Sequence, residues 1–303
     1  MKKLPHALYR YCRLKLNNAA CRLLFRNKQP AKKHFLSICA IFKNEGRFLA
    51  EWLNYYLLAG VDHFYLYNNF SDDNYRELLQ PYIDKGLVTL IDWAMPYGQM
   101  PAYFDCVEKY SGETNWIGFF DLDEFAVPLG RGTTDLKTVL RRYGKFPSLP
   151  VYWKMFGSGG IITDDPAKPV TEQFILSWDF NSYKSFLNTK FSGLISKKSR
   201  SPHFWRFKWF DRVCPNNPAY YAGLRKQQIR PEIQLNHYYG KSFDYFRNKK
   251  QVGRCLDDKQ KLTLAVFFNN EHNAVTADYQ IFKFMVELKT FDLNAQRINC
   301  KEI

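Results

Sequence analysis

Three carboxylates arrive together at the end of the apolar run Trp116-Ile117-Gly118-Phe119-Phe120-Asp121-Leu122-Asp123-Glu124-Phe125. Buried carboxylates are costly unless paired or metal-bound. If the chain stays extended past Phe120, Asp121 and Asp123 face one side and Leu122 the other. Two hard oxygen donors at that spacing suit Mg2+ or Mn2+, which in turn binds a diphosphate. Alone, the triplet reads more simply as an acidic turn after a core strand, so its surroundings decide.

Two more groups carry usable chemistry. Phe156-Gly157-Ser158-Gly159-Gly160 is a turn in which backbone N–H groups can approach a ligand closely. It is not a Walker A loop, since no Gly-Lys-Ser/Thr follows, nor a dinucleotide fingerprint, since it does not open the first β-α unit; a structural turn explains it equally well. In Leu235-Asn236-His237-Tyr238-Tyr239-Gly240-Lys241-Ser242, His237 offers a ring nitrogen to a metal and Lys241 a charge to a phosphate. The plainer alternatives are a hydrogen-bonded structural histidine and a solvated lysine.

The elements needed to position these groups can be read from the pattern. Phe35–Phe42, Asp62–Tyr67, Leu87–Asp92 and Trp116–Phe120 have strand character. Arg47–Leu58, Tyr75–Tyr82 and Met100–Tyr110 have helical period, the first two closed by Gly60 and Gly86. Strands alternating with helices imply right-handed β-α-β units and a mostly parallel sheet. Past residue 150 the pattern is less regular: Val151–Met155 and Gln234–Tyr239 look extended, Asp278–Lys289 looks helical, and 190–220 is aromatic and basic. In open α/β sheets ligands bind beyond the carboxyl ends of the strands. Lys43-Asn44-Glu45, Asn68-Asn69-Phe70-Ser71-Asp72 and the acidic triplet all fall there, so Lys43, Glu45, Asn69, Asp72 and Asp121 are expected to line one crevice. Each type is also an ordinary turn or helix-start residue.

Composition sets the frame. The 303 residues are 46% hydrophobic and 17% aromatic, enough for a large core. The formal charge is +15, but residues 1–33 hold ten Lys or Arg and no acid, leaving the other 270 residues at +5. Residues 6–26 read as a helix with an apolar stripe of Leu8, Cys12, Leu16, Ala19 and Leu23, and Arg10, Arg13, Lys15 and Arg22 mostly off it. That pattern suits the surface of an anionic membrane, or a helix packed on the body with its basic side in water. Seven cysteines, odd in number and without C-x-x-C spacing, suit reduced thiols in a cytosolic protein. No run is long enough for a membrane span, and residues 1–33 lack the pattern of a secretory signal.

The ordered series Phe42-Lys43-Asn44-Glu45, Glu51-Trp52-Leu53, Gly60-Val61-Asp62-His63-Phe64-Tyr65-Leu66-Tyr67-Asn68-Asn69, Phe120-Asp121-Leu122-Asp123-Glu124-Phe125, Phe156-Gly157-Ser158-Gly159-Gly160 and Asn236-His237-Tyr238-Tyr239-Gly240-Lys241-Ser242 resembles glycosyltransferase family 92, over about residues 36–290. The resemblance implies an α/β, GT-A type (Rossmann-like) fold and transfer of a hexose, often galactose, from a UDP-sugar. It implies that Glu45 and Asp72 line the nucleotide pocket. It makes Asp121 and Asp123 the D-x-D pair and His237 the late histidine of the metal site, and it sets Gly157 and Ser158 near donor sugar and acceptor. The expected layout is a basic membrane-associating segment at 1–33, a transferase domain at 34–290 (nucleotide-sugar half 34–130, acceptor half 131–290) and a tail at 291–303. The chain departs from eukaryotic members, which carry an anchor and luminal cysteines. That points to a bacterial-type enzyme, cytoplasmic and peripheral on the inner face, with a glycan or glycolipid acceptor of lipid-linked, lipopolysaccharide or capsule type.

In this reading Asp123 binds Mn2+ or Mg2+, assisted by Asp121 and His237, and the ion neutralises the departing nucleoside diphosphate. An inverting reaction needs a base. Glu172, at a helix start shortly after the glycine turn, is the candidate, with Asp164 and Asp165 competing. Two other classes compete. A metal-dependent nucleotidyltransferase should show a Gly-rich basic loop after the first strand, where this chain has Lys43-Asn44-Glu45-Gly46-Arg47. A nucleic-acid-binding protein is prompted by the charge and by Phe204-Trp205-Arg206-Phe207-Lys208-Trp209-Phe210, but two-thirds of the excess charge sits in residues 1–33, so no specific nucleic-acid partner is expected.

Overall fold

The computed structural model describes residues 3–130, 132–196, 198–199, 201–225, 231–250 and 262–294. Cys255, Cys300 and most of the expected 291–303 tail lie outside them.

A basic helix, α1 (Lys3–Leu24), precedes an alternating series: β1 (His34–Phe42), α2 (Gly46–Leu58), β2 (His63–Asn68), α3 (Tyr75–Asp84), β3 (Val88–Asp92), α4 (Gln99–Tyr110) and β4 (Thr114–Phe119). Next come β5 (Glu124–Pro128), α5 (Leu136–Arg141), β6 (Ser148–Phe156), β7 (Leu176–Asn188), β8 (Ile233–His237) and β9 (Thr276–Ala277), with short helices between them and a longer one at Leu264–Asn273. Among the described residues all strands join one sheet in the order β3-β2-β1-β4-β7-β6-β8-β5, with β9 on β7.

The sheet changes character at β4. The pairs β1–β2, β1–β4 and β2–β3 are parallel, as expected from the alternation, whereas β7 runs antiparallel to both β4 and β6, and β5 antiparallel to β8. With β6–β8 parallel and β9 antiparallel, parallel pairs do not dominate the whole sheet. Although β5 precedes residue 130, it sits at the far edge, among strands of the second half.

Period-two alternation explains the layering. Leu36, Ile38, Ala40 and Phe42 of β1, with Phe64 and Leu66 of β2, meet Phe48, Trp52, Tyr56 and Leu79 of α2 and α3 in one core. Cys39, Ile41, Tyr65 and Tyr67 point the other way, onto Ala102, Tyr103 and Cys106 of α4. Strands apolar on both faces belong in a covered sheet. Gly60 and Gly86, at φ +92° and +68°, turn the chain out of α2 and α3 as the sequence requires.

The helix expected at 6–26 is present, but it docks by the side opposite its apolar stripe. Leu14, Asn18 and Cys21 are buried, Asn18 Nδ2 donates to the Cys214 carbonyl, and Asn17 Nδ2 to the carbonyls of Phe210 and Arg212. Leu8, Cys12, Leu16, Ala19 and Leu23 remain exposed. Among the described residues no helix is long and apolar enough to cross a membrane. Cys12, Cys21, Cys39, Cys106 and Cys214 are free thiols.

Candidate active site

The acidic triplet is a turn. β4 ends at Phe119, the Glu124 N–H donates to the Asp121 carbonyl (3.0 Å), and Leu122 is buried in the core. The extended backbone expected past Phe120 is therefore corrected. With a turn in place of a strand, Asp121 and Asp123 reach different partners.

Asp121 is held from three directions. Its Oδ2 accepts from Lys184 Nζ at 2.9 Å, and its Oδ1 from Gln99 Nε2 (3.1 Å) and the Tyr103 hydroxyl (3.3 Å), both in the first turns of α4. Lys184 is 1% exposed and lies 3.4 Å from Glu124 Oε2 as well. The antiparallel β4–β7 register explains its place: Gly118 pairs with Phe186, so two residues on from Gly118 and two back from Phe186, Lys184 stands beside Phe120, next to Asp121. Burial lowers the Lys184 pKa, but the carboxylates of Asp121 and Glu124 outweigh it and hold the ammonium above its ordinary value. Glu124 is fully buried, accepting from the Asp121 N–H (2.9 Å) and Trp153 Nε1 (2.8 Å). Burial pushes its carboxyl up to about 8 against the pull of Lys184. It fixes the turn from behind.

Asp123 has a different close partner, His237. β5 and β8 pair Glu124 with His237, and the Tyr238 N–H donates to the Asp123 carbonyl at 2.8 Å, extending the ladder by one residue. The Asp123 carboxylate thereby lies 3.4 Å from His237 Nε2. The Trp153 ring packs 4.5 Å from the imidazole and orients it. Among the described residues no group of three or more His, Cys, Asp or Glu is arranged to hold a metal. The donor set that fits a divalent cation is the pair Asp123 and His237. Mg2+-type sites commonly take one or two protein ligands and fill the rest with substrate phosphates and water. Asp121, also expected as a ligand, is hydrogen-bonded to Lys184 at 2.9 Å.

The other strand ends do converge. The Asn44 N–H donates to Ser71 Oγ, the Asp72 N–H to Asn44 Oδ1 and the Gly46 N–H to Asp73 Oδ2, joining the loops after β1 and β2. Lys43 and Asp72 are exposed there, and Glu45 immediately precedes α2. Asn69 is buried, with its amide donating to the carbonyls of Trp93 and Met95 after β3. Its role in this fold is to lock the loop. Lys241, also buried, has its ammonium 4.4 and 4.2 Å from the ring centres of Phe48 and Tyr245.

The glycine turn is clamped by a residue that sequence reasoning missed. Glu271 accepts from the Ser158 N–H (2.6 Å) and hydroxyl (2.7 Å), and a Cβ at Gly157 would come within 2.6 Å of Ala274. Ser158 thus faces its own scaffold.

The three carboxylates expected as a base have structural partners. Glu172 pairs with Lys289 at 2.7 Å. Burial pushes the Asp164 carboxyl up, but the Ser242 hydroxyl and the Arg47 guanidinium outweigh that and hold it below its ordinary value, which suits a poor proton acceptor. Asp165 caps the exposed turn to Ala167. Glu51 accepts from the N–H groups of Val170 and Thr171 and so fixes the short helix that carries Glu172. Lys184, Gln99 and Tyr103 were missed too. No motif marks them, and only the sheet register and the packing of α4 reveal their contact with Asp121.

This is a mixed α/β sheet in which hydrogen bonds join the loops after β1 and β2, and a late histidine lies 3.4 Å from an aspartate of the Asp-Leu-Asp-Glu turn. The model of glycosyltransferase family 92 matches residues 32–194, more than half the chain. The chain belongs to glycosyltransferase family 92. It is 32% identical over 143 residues to a family 92 protein of Ricinus communis, a match covering 46% of this chain and 26% of that protein. It is 30% identical over 118 residues to the beta-1,4-galactosyltransferase galt-1 of Caenorhabditis elegans, covering 34% and 28%. The chain thus answers to about a quarter of the length of these relatives. Among solved structures, TarS 1-349 of S. aureus superposes with a TM-score of 0.40 at 14% identity, covering 88% of this chain and 76% of that one.

Proposed function

We propose that the protein is a GT-A type glycosyltransferase that moves a hexose, galactose by family likeness, from a UDP-sugar to a glycan acceptor. The observation that carries this reading is the Asp123–His237 pair, brought to 3.4 Å at the carboxyl-end rim of a family 92 sheet. Asp123 and His237 would hold Mn2+ or Mg2+, which when bound supplies positive charge to the departing diphosphate. Asp121, its charge balanced by Lys184 and its side chain 32% exposed, is left to accept hydrogen bonds from the ribose or sugar of the donor. The loops after β1 and β2, with Lys43, Glu45 and Asp72, border the nucleotide. Lys241 adds positive charge from below Phe48. No step is assigned to Asp164, Asp165 or Glu172.

The exposed apolar stripe of α1 and its flanking Arg13, Lys15 and Arg22 favour attachment to an anionic membrane, and with it a lipid-linked or envelope glycan as acceptor on the cytoplasmic face. A screen of nucleotide-sugars with Mn2+ tests the catalytic reading. Release of UDP from a UDP-hexose is expected. Release of pyrophosphate from a nucleoside triphosphate and sugar phosphate, with no UDP from any donor, would make it a nucleotidyltransferase instead.

A further inference from the structure

A cleft of about 290 Å3 separates α1 from the 211–221 segment and shares no residue with the Asp123–His237 site. His6, Arg10, Arg13, Arg212, Asp211 and Tyr221 line it. Three arginines and one carboxylate are thus among its lining, and Asp211 is already bound by Arg206 at 2.7 Å. Arg10 is fixed by donating to the Tyr221 carbonyl (3.1 Å), and Arg212 by lying 3.8 Å over the Phe204 ring. Arg212 Nε is buried and has no hydrogen-bond partner among the described residues. A buried guanidinium N–H without an acceptor is costly. In a cleft with surplus positive charge the fitting acceptor is an anion, and the fork of N–H groups on Arg suits phosphate oxygens.

The position of the cleft identifies the source of that anion. α1 docks by Leu14, Asn18 and Cys21, while Leu8, Leu16 and Leu23, on the opposite side, are 52%, 71% and 86% exposed. Arg13 lies between the stripe and the cleft. A helix lying with this stripe at the acyl boundary holds the cleft at headgroup depth. We infer that the cleft seats the phosphate of an anionic membrane lipid. This deepens the membrane-facing reading of α1 and rests on it for the source of the phosphate. The donor chemistry is untouched by it.

The test is co-sedimentation of the full chain with phosphatidylcholine vesicles, with and without phosphatidylglycerol, at constant ionic strength. Glycerol phosphate serves as soluble competitor. The expected result is binding to the anionic vesicles that glycerol phosphate displaces. Binding should weaken roughly fivefold in Arg13→Gln and more than roughly tenfold in Arg13→Gln/Arg212→Gln. Arg13 is exposed, so its single substitution remains a fair test if the double variant folds poorly. Anionic-vesicle binding that glycerol phosphate does not displace overturns the inference in favour of diffuse charge, whatever the substitutions do. Binding of glycerol phosphate without any vesicle binding overturns the lipid assignment. UDP release, measured in parallel, separates either failure from failure of the transferase reading.

Discussion

At the scale of single residues, Lys184 sets the chemistry of the acidic turn. Without it, the Asp121 carboxylate loses its countercharge, beside a fully buried Glu124 whose carboxyl burial already pushes up to about 8. Removing one partner of a buried pair leaves an uncompensated charge. Because Asp121 keeps some exposure and two other donors, Lys184→Met should lower stability by about 1–3 kcal/mol in urea unfolding, the cost of a lost hydrogen bond to a charged group; no measurable loss would show that the pair is not formed. His63 gives a second residue-level test. It stacks 4.7 Å from His34, with Nδ1 near the Gly86 carbonyl and Nε2 near Thr89 Oγ1. Burial, with help from His34, lowers its pKa from 6.5 to about 4. Because the unfolded chain takes up the proton first as pH falls through 6.5, stability should drop between pH 6.5 and about 4. An NMR titration should find the His63 ring neutral at pH 5.5, roughly a unit below an ordinary histidine midpoint; an ordinary midpoint would contradict its burial. The Asp123–His237 partnership was legible in the sequence through motif order. The commitment of Asp121 was not, because Lys184, Gln99 and Tyr103 sit in segments with no motif.

At the scale of elements, β1 to β4 were readable because buried parallel strands are continuous apolar runs and their helices have clear period and glycine stops. β7 was not. Leu176–Asn188 is rich in Ser, Asn and Asp, its first half lies at the surface, and it forms a strand because β4 and β6 supply partners on both sides. β5 was hidden inside the acidic motif. The final helical stretch, expected as one helix over Asp278–Lys289, is a 3-10 turn at Gln280–Phe284 followed by Met285–Lys289. The periodicity of α1 was read correctly, yet its stripe faces outward, since the docking face is marked by Asn17, Asn18 and Cys21, and polar anchors are invisible to a hydrophobic pattern. Deleting residues 1–33 would therefore uncover part of the body. Leu16→Asp is the cleaner change: with Leu16 71% exposed, stability should stay within about 0.5 kcal/mol. Sedimentation with anionic vesicles should nonetheless fall sharply, and unchanged binding would remove α1 from the membrane.

At the scale of the molecule, one continuous sheet carries strands from both halves anticipated from the sequence, so the loops after β1 and β2 and the late histidine share a rigid support. The charge is divided in another way: a basic helix on one side and a body near balance. The division suits an enzyme that is attached by one element and works with another. The central claim is that the Asp123–His237 pair supports metal-dependent release of UDP. Its most direct test is the rate of UDP release from UDP-galactose after EDTA treatment and after Mn2+ is restored, in the native protein and in Asp123→Asn. The account predicts loss in EDTA, recovery with Mn2+, and no recovery in a folded Asp123→Asn variant. Undiminished release in EDTA, or an active Asp123→Asn, would contradict it.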